Sequence, residues 1–482
     1  MSDPRLASKC FRLLAMAIVA AIASSAKAED KPSSTEPQQP NIVFLLADDM
    51  RWDAMGCAGN PIIKTPNLDA LAANGVRFKN AFVTTSICAA SRASLLTGLY
   101  ERTHRYTFGT KPIAHEHIAI SYPQLLRKAG FRTGFVGKFG VGVPPGATKE
   151  MFDSFTPLDR TPYWKKQADG TEKHLTDIEG EKAIDFIRAA KPGQTFCLSV
   201  SFNAPHAEDD DAKQYFWQKD VDQLYRDVKF PLPKTMSDAF FEKQPEFLRK
   251  TESRVRFNWR FDEPKKYQEM VAGYYRMISG VDLAIGRIVK AIEESKIAAN
   301  TVIVFASDNG YFLGERGFAD KWYIYEPSIR VPLLVYDPRM GKDMRGRVVE
   351  RMALNVDISP TLLDLAGIPI PGTVQGRSLV PLVKGEPPAN WRKDFFYEHL
   401  FERNNIPKSE GVRTERFAYV RWFEQTPVIE ELYDHVADFE EVNNLIANPT
   451  FAEVRDKLRK RTTELRDQYG GPYRPNLAEK KK

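Results

Sequence analysis

Two apolar runs, far apart in the chain, each stop at oxygen-bearing side chains. Asn41 to Ala47 reads NIVFLLA and ends at Asp48-Asp49, while Thr301 to Ala306 reads TVIVFA and ends at Ser307-Asp308-Asn309-Gly310. An unbroken apolar stretch of strand length fits a parallel strand buried on both faces. Strands of this kind belong to open α/β sheets, whose sites form beyond the carboxyl ends of the strands, so distant residues meet there. Two adjacent carboxylates at such an end repel each other and are costly to bury unless a cation neutralises them. Asp48, Asp49, Asp308 and Asn309 are therefore candidate metal ligands, a solvated turn with an aspartate helix cap being the alternative for the first pair. Oxygen donors alone suit a hard cation such as calcium or magnesium. Zinc is disfavoured, because none of the seven histidines forms a His-x-x-x-His pair.

A second stretch, TTSICAASRASLLTGLY from Thr84 to Tyr100, sets a lone cysteine just ahead of good helix formers, with Gly98 as a stop. Near a helix N-terminus, unpaired N–H groups and the dipole favour an anion and lower a thiol pKa. Arg92, one turn beyond Cys88, falls on the same face and offers a guanidinium to such an anion. The competing account of Cys88 is a small buried cysteine at the foot of a core helix. Two further strand ends carry cationic tips, Lys138 in GFRTGFVGKFG and His206 in FCLSVSFNAPH, and Lys321 follows the second acidic strand closely. At one sheet edge these three would serve as anion clamps or proton donors.

Together these strings resemble the type I sulfatases, close in character to the N-acetylglucosamine-6-sulfatase and choline-sulfatase branches. Cys88, Ser91, Arg92, Thr97 and Gly98 fit the signature C-x-P-S-R-x-x-x-x-T-G, and GFRTGFVGKF is similar to the second family signature. The resemblance implies an alkaline-phosphatase-like α/β fold, a large mixed, mostly parallel sheet between helices with a smaller C-terminal antiparallel sheet plus helix. It implies that a formylglycine-generating enzyme converts Cys88 to formylglycine, whose hydrated aldehyde attacks sulfur. It also implies one calcium ion on Asp48, Asp49, Asp308, Asn309 and the modified Cys88. Arg92 would steady the formylglycine, Lys138 would hold sulfate, and His206 and Lys321 would hold sulfate and assist the leaving oxygen. The implied substrate is a sulfated carbohydrate or another small sulfate ester, with N-acetylglucosamine 6-sulfate first in line.

Three positions depart from the family pattern. Ala90 stands where most members carry proline, and Arg316 stands where many carry histidine. Gly137-Lys138-Phe139-Gly140 replaces G-K-W-H, and glycine cannot act as the base that this histidine supplies. Two rival readings follow: a phosphate or phosphonate ester hydrolase of the same superfamily, and a catalytically silent protein that binds sulfated glycans.

The ends and the charge bound the rest. Arg5, Lys9 and Arg12 precede an apolar run from Leu13 to Ala23 and small residues at Ala26-Lys27-Ala28, which reads as a secretory signal peptide over 1–28. Residues 29–40 read as a linker, 41–385 as the catalytic domain and 386–482 as a C-terminal subdomain. An exported protein without a transmembrane segment is expected. Formal net charge is +6, and no basic block lies within the body of the chain, so nothing points to nucleic acid. Cys57 and Cys197 are expected to be free. The charged, aromatic stretch from about Asp209 to Lys265 reads either as a cleft wall or as inward-packed helical decoration, and Glu208 to Asp211 as a solvated turn. Phe395 to Tyr397 and Phe417 to Phe423 read as strands, and Phe451, Val454, Leu458 and Leu465 as one face of a helix. His399 and Arg413 are candidate substrate contacts from this subdomain.

Overall fold

In the computed structural model, which describes residues 39–478, the first apolar run is strand β1 (Asn41–Ala47), buried along its whole length. It is the centre of an eight-stranded sheet. The other members are β2 (Val76–Phe78), β3 (Arg132–Gly137), β4 (Ser154–Pro157), β5 (Phe196–Ser201), β6 (Thr301–Ser307), β7 (Leu333–Tyr336) and β8 (Arg347–Val349). The order across the sheet is β8-β2-β7-β6-β1-β5-β3-β4. Of these eight, β7 alone runs against its neighbours; β1 lies parallel to both β5 and β6, in registers that bring the ends of all three to one edge.

Helices cover both faces, because β1, β5 and β6 are apolar on both sides and need cover on each. On one face lies α1 (Pro66–Asn74), with α3 (Leu175–Arg188) and the 31-residue α4 (Pro264–Glu294). Their packing gathers Val43, Leu45, Leu198, Val200, Ile303 and Phe305 with Ile278, Ile285 and Ile288 into one core. On the opposite face lies α2 (Cys88–Thr97), every residue of which is buried, in a second core with Phe44, Leu46, Val302 and Val304. A helix submerged on all sides explains its run of small residues: Ala89, Ala90 and Ala93 let neighbouring elements approach closely.

The C-terminal region forms a separate antiparallel sheet, β9 (Asp394–His399), β10 (Ser409–Thr414), β11 (Phe417–Trp422) and β12 (Ile429–Asp434), with α5 (Ala452–Gln468) packed on it. It is bolted to the rest by buried ion pairs, Arg102 reaching Glu398 at 2.7 Å and Glu410 at 2.8 Å. Of the face expected on α5, Leu458 and Leu465 are buried, together with Thr462. Cys57, Cys88 and Cys197 are all free. The expected signal peptide and the linker up to residue 38 lie outside the described residues, as does Cys10. Among the described residues no helix is long and apolar enough to cross a membrane.

Candidate active site

The end of β1 delivers Asp48 and Asp49 into a closed interior, where both side chains are fully buried. The backbone there is fixed from several sides. Asp48 N donates to Ala204 O, Met50 N to Ser307 Oγ, and Tyr274 of α4 donates its hydroxyl to Asp49 O. Asp49 itself takes a left-handed φ of 69°. A non-glycine residue rarely adopts that conformation unless its surroundings enforce it. The end of β6 brings Asp308 and Asn309 alongside, with Asp308 N donating to Ala47 O and Asp49 N to Asp308 Oδ1 at 3.1 Å.

Cys88 is the first residue of α2 and points at these carboxylates. Its thiol lies 3.3 Å from Asp48 Oδ1 and 3.8 Å from Asp49 Oδ1. One turn on, Arg92 donates from Nε to Asp308 at 2.8 Å and from Nη1 to Ser201 Oγ and the Lys138 carbonyl. The ammonium of Lys138 is on Asp48, and that of Lys321 sits 2.6 and 2.5 Å from the two oxygens of Asp49. His206 Nε2 stands 3.5 Å from Asp49 Oδ2. Six segments therefore converge: the ends of β1, β6, β3 and β5, the start of α2, and the segment that carries Lys321.

The turn at the end of β3 is made by Gly137, whose φ is +98° and whose Cβ would fall 2.1 Å from Ser201 O. No other residue lets Lys138 N reach Ser201 O at 2.8 Å. Gly140, with φ +66°, lies so close to Arg92 that a Cβ would meet Arg92 Cδ at 2.9 Å. The departure from G-K-W-H is thus built into the packing, since the Arg92 side chain occupies the space next to that position.

Electrostatics corrects one expectation. Burial first, and the neighbouring Asp48 second, push the Cys88 thiol well above its ordinary value, so the helix N-terminus does not yield a ready thiolate. Burial raises Asp49 to about 7, Lys321 opposes the rise, and Asp48, Asp320 and Asp308 add to it. Burial alone would raise Asp48 too, but Lys138, Arg92 and Lys321 hold it below the usual carboxylate range. His206 is pushed well below its ordinary value by burial, then by Arg160, Lys321 and Lys138, which leaves it neutral.

The donor set fits a hard cation. Ligand atoms of Asp48, Asp49, Cys88 and His206 all lie within 4.8 Å of one another. Asn309 Oδ1 is buried with no hydrogen-bond partner, an oxygen left for an ion to take. Three buried carboxylates converging on one point are what a divalent cation neutralises.

His399 and Arg413 are not brought to this cluster. His399 is completely buried in β9, with neither ring nitrogen hydrogen-bonded. Arg413 turns to Glu326, at 2.8 Å, and to the Thr414 carbonyl. Strand alternation sends both side chains into the interface of the C-terminal sheet, where they serve packing and ion pairing. Glu208 to Asp211 is likewise more than a solvated turn. Glu208 is buried and accepts from Tyr163 N, and Asp209 pairs with Arg256 at 3.0 Å and Arg260 at 2.5 Å.

That ion-pair network was not legible in the sequence. Arg256 and Arg260 also hold Asp320, which lies 3.3 Å from Lys321. Arg160, equally unforeseen, donates to the His206 ring and to Ala207 O and stands 3.9 Å from Asp209. Asp320 had a signal in its adjacency to Lys321, but Arg160 follows β4 with nothing local to mark it. Arg316 is a structural bolt, its guanidinium bonded to Glu441 O, Gln244 and the Tyr433 hydroxyl.

Known proteins share this arrangement along most of the chain. The sulfatase family model matches residues 40–368, and a second model, N-sulphoglucosamine sulphohydrolase, C-terminal, matches residues 314–468. An N-acetylglucosamine-6-O-sulfatase of Bacteroides thetaiotaomicron is 28% identical, over 91% of this chain and 88% of its own. An arylsulfatase of Clostridium perfringens is 31% identical, over 88% of this chain and 93% of its own. A solved structure of a protein in complex with its substrate D-glucosamine-2-N,6-O-disulfate superposes with a TM-score of 0.79 at 26% identity, covering 89% of this chain and 98% of that one. With its fold, its buried Asp-Asp-Cys-His cluster and these relatives, the chain belongs to the sulfatase family of the alkaline-phosphatase superfamily and is a sulfuric ester hydrolase.

Proposed function

We propose that this sulfatase hydrolyses the sulfate monoester of an amino sugar, with N-acetylglucosamine 6-sulfate the first substrate to test. The observation that carries the reading is the position of Cys88, 3.3 Å from Asp48 and ringed by Arg92, Lys138, His206 and Lys321. Support for the sugar comes from the relative named N-acetylglucosamine-6-O-sulfatase and from the neighbour bound to a glucosamine disulfate. Formylglycine made from Cys88 by a formylglycine-generating enzyme would supply the nucleophilic hydroxyl. Calcium held by Asp48, Asp49, Asp308, Asn309 and the modified Cys88 would polarise the ester oxygens.

The remaining work falls to side chains in hand. Lys138 on Asp48 and Lys321 on Asp49 present ammonium groups that would meet sulfate oxygens as negative charge builds. Arg92, locked by Asp308 and Ser201, orients the residue at position 88. His206, a neutral ring in the resting site, would take up a proton from solvent and, as the imidazolium, pass it to the bridging oxygen as that oxygen leaves, returning to the neutral ring. Gly140 contributes no base, so a water or one of these groups takes the proton that the family histidine accepts elsewhere. The leader over 1–28 would direct export, and the catalytic domain and C-terminal subdomain would divide near residue 385.

Two measurements test this. Peptide mass spectrometry across Cys88, on protein exported by its native host, should find the aldehyde in place of the thiol. Sulfate release from N-acetylglucosamine 6-sulfate should then depend on calcium and on that conversion. Conversion without sulfate release, but with turnover of a matched phosphate ester, would transfer the assignment to phosphate esters. A converted protein that binds sulfated sugar and leaves it intact would be a binding protein.

A further inference from the structure

A second cavity of about 400 Å³ lies beside the acidic cluster, and its lining is unlike that of the catalytic centre. Its walls come from the segment after β1, the segments after β6, one side of α4, and residues 230–235 and 439–441. Asp49 faces the catalytic centre, and Trp52, three residues on, lines this cavity. Consecutive Cα atoms are 3.8 Å apart, so the two backbones are separated by no more than about 11 Å. Both sites occupy the same edge of the sheet, since both are built on the segments that leave β1 and β6.

The chemistry of the lining selects against ions. Arg51 is engaged by Asp53 at 2.5 Å and Glu315 at 2.7 Å, Lys234 by Glu440 at 3.1 Å, and Glu326 by Arg413 at 2.8 Å. Charges matched in this way leave no net attraction for a sulfate. Flat apolar faces stand between them: Trp52, Phe230, Tyr275 and Phe439. Phe439 is 46% exposed and Leu232 is 54% exposed, two large apolar side chains at the mouth of the cavity. Glu441 adds a polar group that is still free to bond. It is 1% exposed and lines the cavity; its Oε2 accepts from Glu326 N at 3.2 Å, while Oε1, 3.7 Å from His435 Nε2, has no hydrogen-bond partner, and neither has Nε of its neighbour Arg316.

Aromatic faces, matched charges and a carboxyl with one oxygen unbonded describe a site for a polar but uncharged ring. A volume of this size lies within the range of small-ligand pockets. We infer that the cavity binds an unsulfated sugar unit of the glycan whose sulfated unit occupies the catalytic centre, with its C–H face on Phe439 and a hydroxyl on Glu441. This rests on the carbohydrate reading of the catalytic centre. It makes the protein a sulfatase of oligosaccharides, one that reads the chain next to the unit it desulfates.

The test uses the full, converted protein and Phe439→Ala, chosen because the side chain is exposed and outside the catalytic centre. The ratio of kcat/KM for a 6-sulfated N-acetylglucosamine trisaccharide to that for the sulfated monosaccharide should exceed one in the wild type. In Phe439→Ala it should fall about tenfold, through KM, with monosaccharide turnover unchanged. Calorimetric titration with the unsulfated trisaccharide should show binding to the wild type and none to Phe439→Ala. Equal ratios in the two proteins, or no binding of the unsulfated trisaccharide to the wild type, would overturn the inference and leave the sulfatase reading intact. Absence of turnover on every sulfated sugar would sink that reading instead, and the titration would still decide whether the cavity takes a sugar.

Discussion

Lys321 places its ammonium within hydrogen-bond reach of both oxygens of Asp49, and neither side chain reaches bulk water. The pair sits among Asp48, Asp308 and Asp320, so Lys321 offsets repulsion among buried carboxylates. Removing one partner of a buried pair typically costs about 3–5 kcal/mol, because the other charge is stranded. Lys321→Ala should therefore lose roughly 100- to 1000-fold in kcat, as expected for a lost charge-stabilising donor. Its Tm should drop steeply in chelator and much less in calcium, since the ion takes over the neutralisation of Asp49. Thermal unfolding with and without calcium checks this; equal losses in both would separate Asp49 from the metal.

Gly140 cannot be returned to the family residue. Its φ of +66° and the 2.9 Å approach of a Cβ to Arg92 Cδ mean that any side chain strains the backbone and pushes Arg92 off Asp308. Strain of this kind is worth about 1–3 kcal/mol. Gly140→Ala should lower kcat roughly 5- to 150-fold, with a smaller change in KM. Gly140→His should be no better, despite restoring the histidine. A histidine variant with raised turnover would show that Arg92 yields more readily than its contacts imply.

How much of this was legible in the sequence depended on how local each signal was. Asp48, Asp49, Asp308 and Asn309 terminate apolar runs, and the pattern of a doubly buried strand fixes where such ends lie, so their meeting could be anticipated. Cys88 and Arg92 share a helical turn. Arg160, Asp209, Arg256 and Arg260 come together only through the packing of separate segments. Charges outside the sheet read as solvent-facing until their partners are known. Arg413 turns away from the cluster for the same reason in reverse, because Glu326, which captures it, is 87 residues away. The thiol of Cys88 was misjudged because a helix terminus was weighed without the burial that overrides it.

Glu441 carries a pH signature. Burial, with Arg316 opposing and Glu326 adding, raises its carboxyl from 4.5 to about 8. Between those values the folded protein retains a proton that the unfolded chain has released, so stability falls as pH rises through that window. Every tenfold difference in proton affinity between the two states is worth about 1.4 kcal/mol. Glu441→Gln removes the dependence at this site. Its Tm relative to wild type should therefore climb as pH rises from 5 to 8, and a parallel pair of Tm-against-pH curves would show Glu441 to be ionised in the fold.

Arg160 meets the catalytic centre with its side chain still in contact with solvent, 24% exposed against 3% for Arg92. Its Nη1 bridges the His206 ring and the Ala207 carbonyl, and so fixes the plane of the imidazole proposed to serve the leaving oxygen. Asp209, itself clamped by Arg256 and Arg260, supplies the counter-charge from behind. A guanidinium nitrogen held in a fixed plane is not replaced equally by a freely turning ammonium. Arg160→Ala and Arg160→Lys should both lower kcat, by roughly 10- to 100-fold for a misplacement near 1 Å. Asp209→Asn should act in the same direction and more weakly, since the arginine remains. The distinction from a simple substrate clamp lies in which constant moves. Loss through Arg160 acting on His206 appears in kcat and alters its pH profile, whereas loss of a direct sulfate contact appears in KM with the profile unchanged.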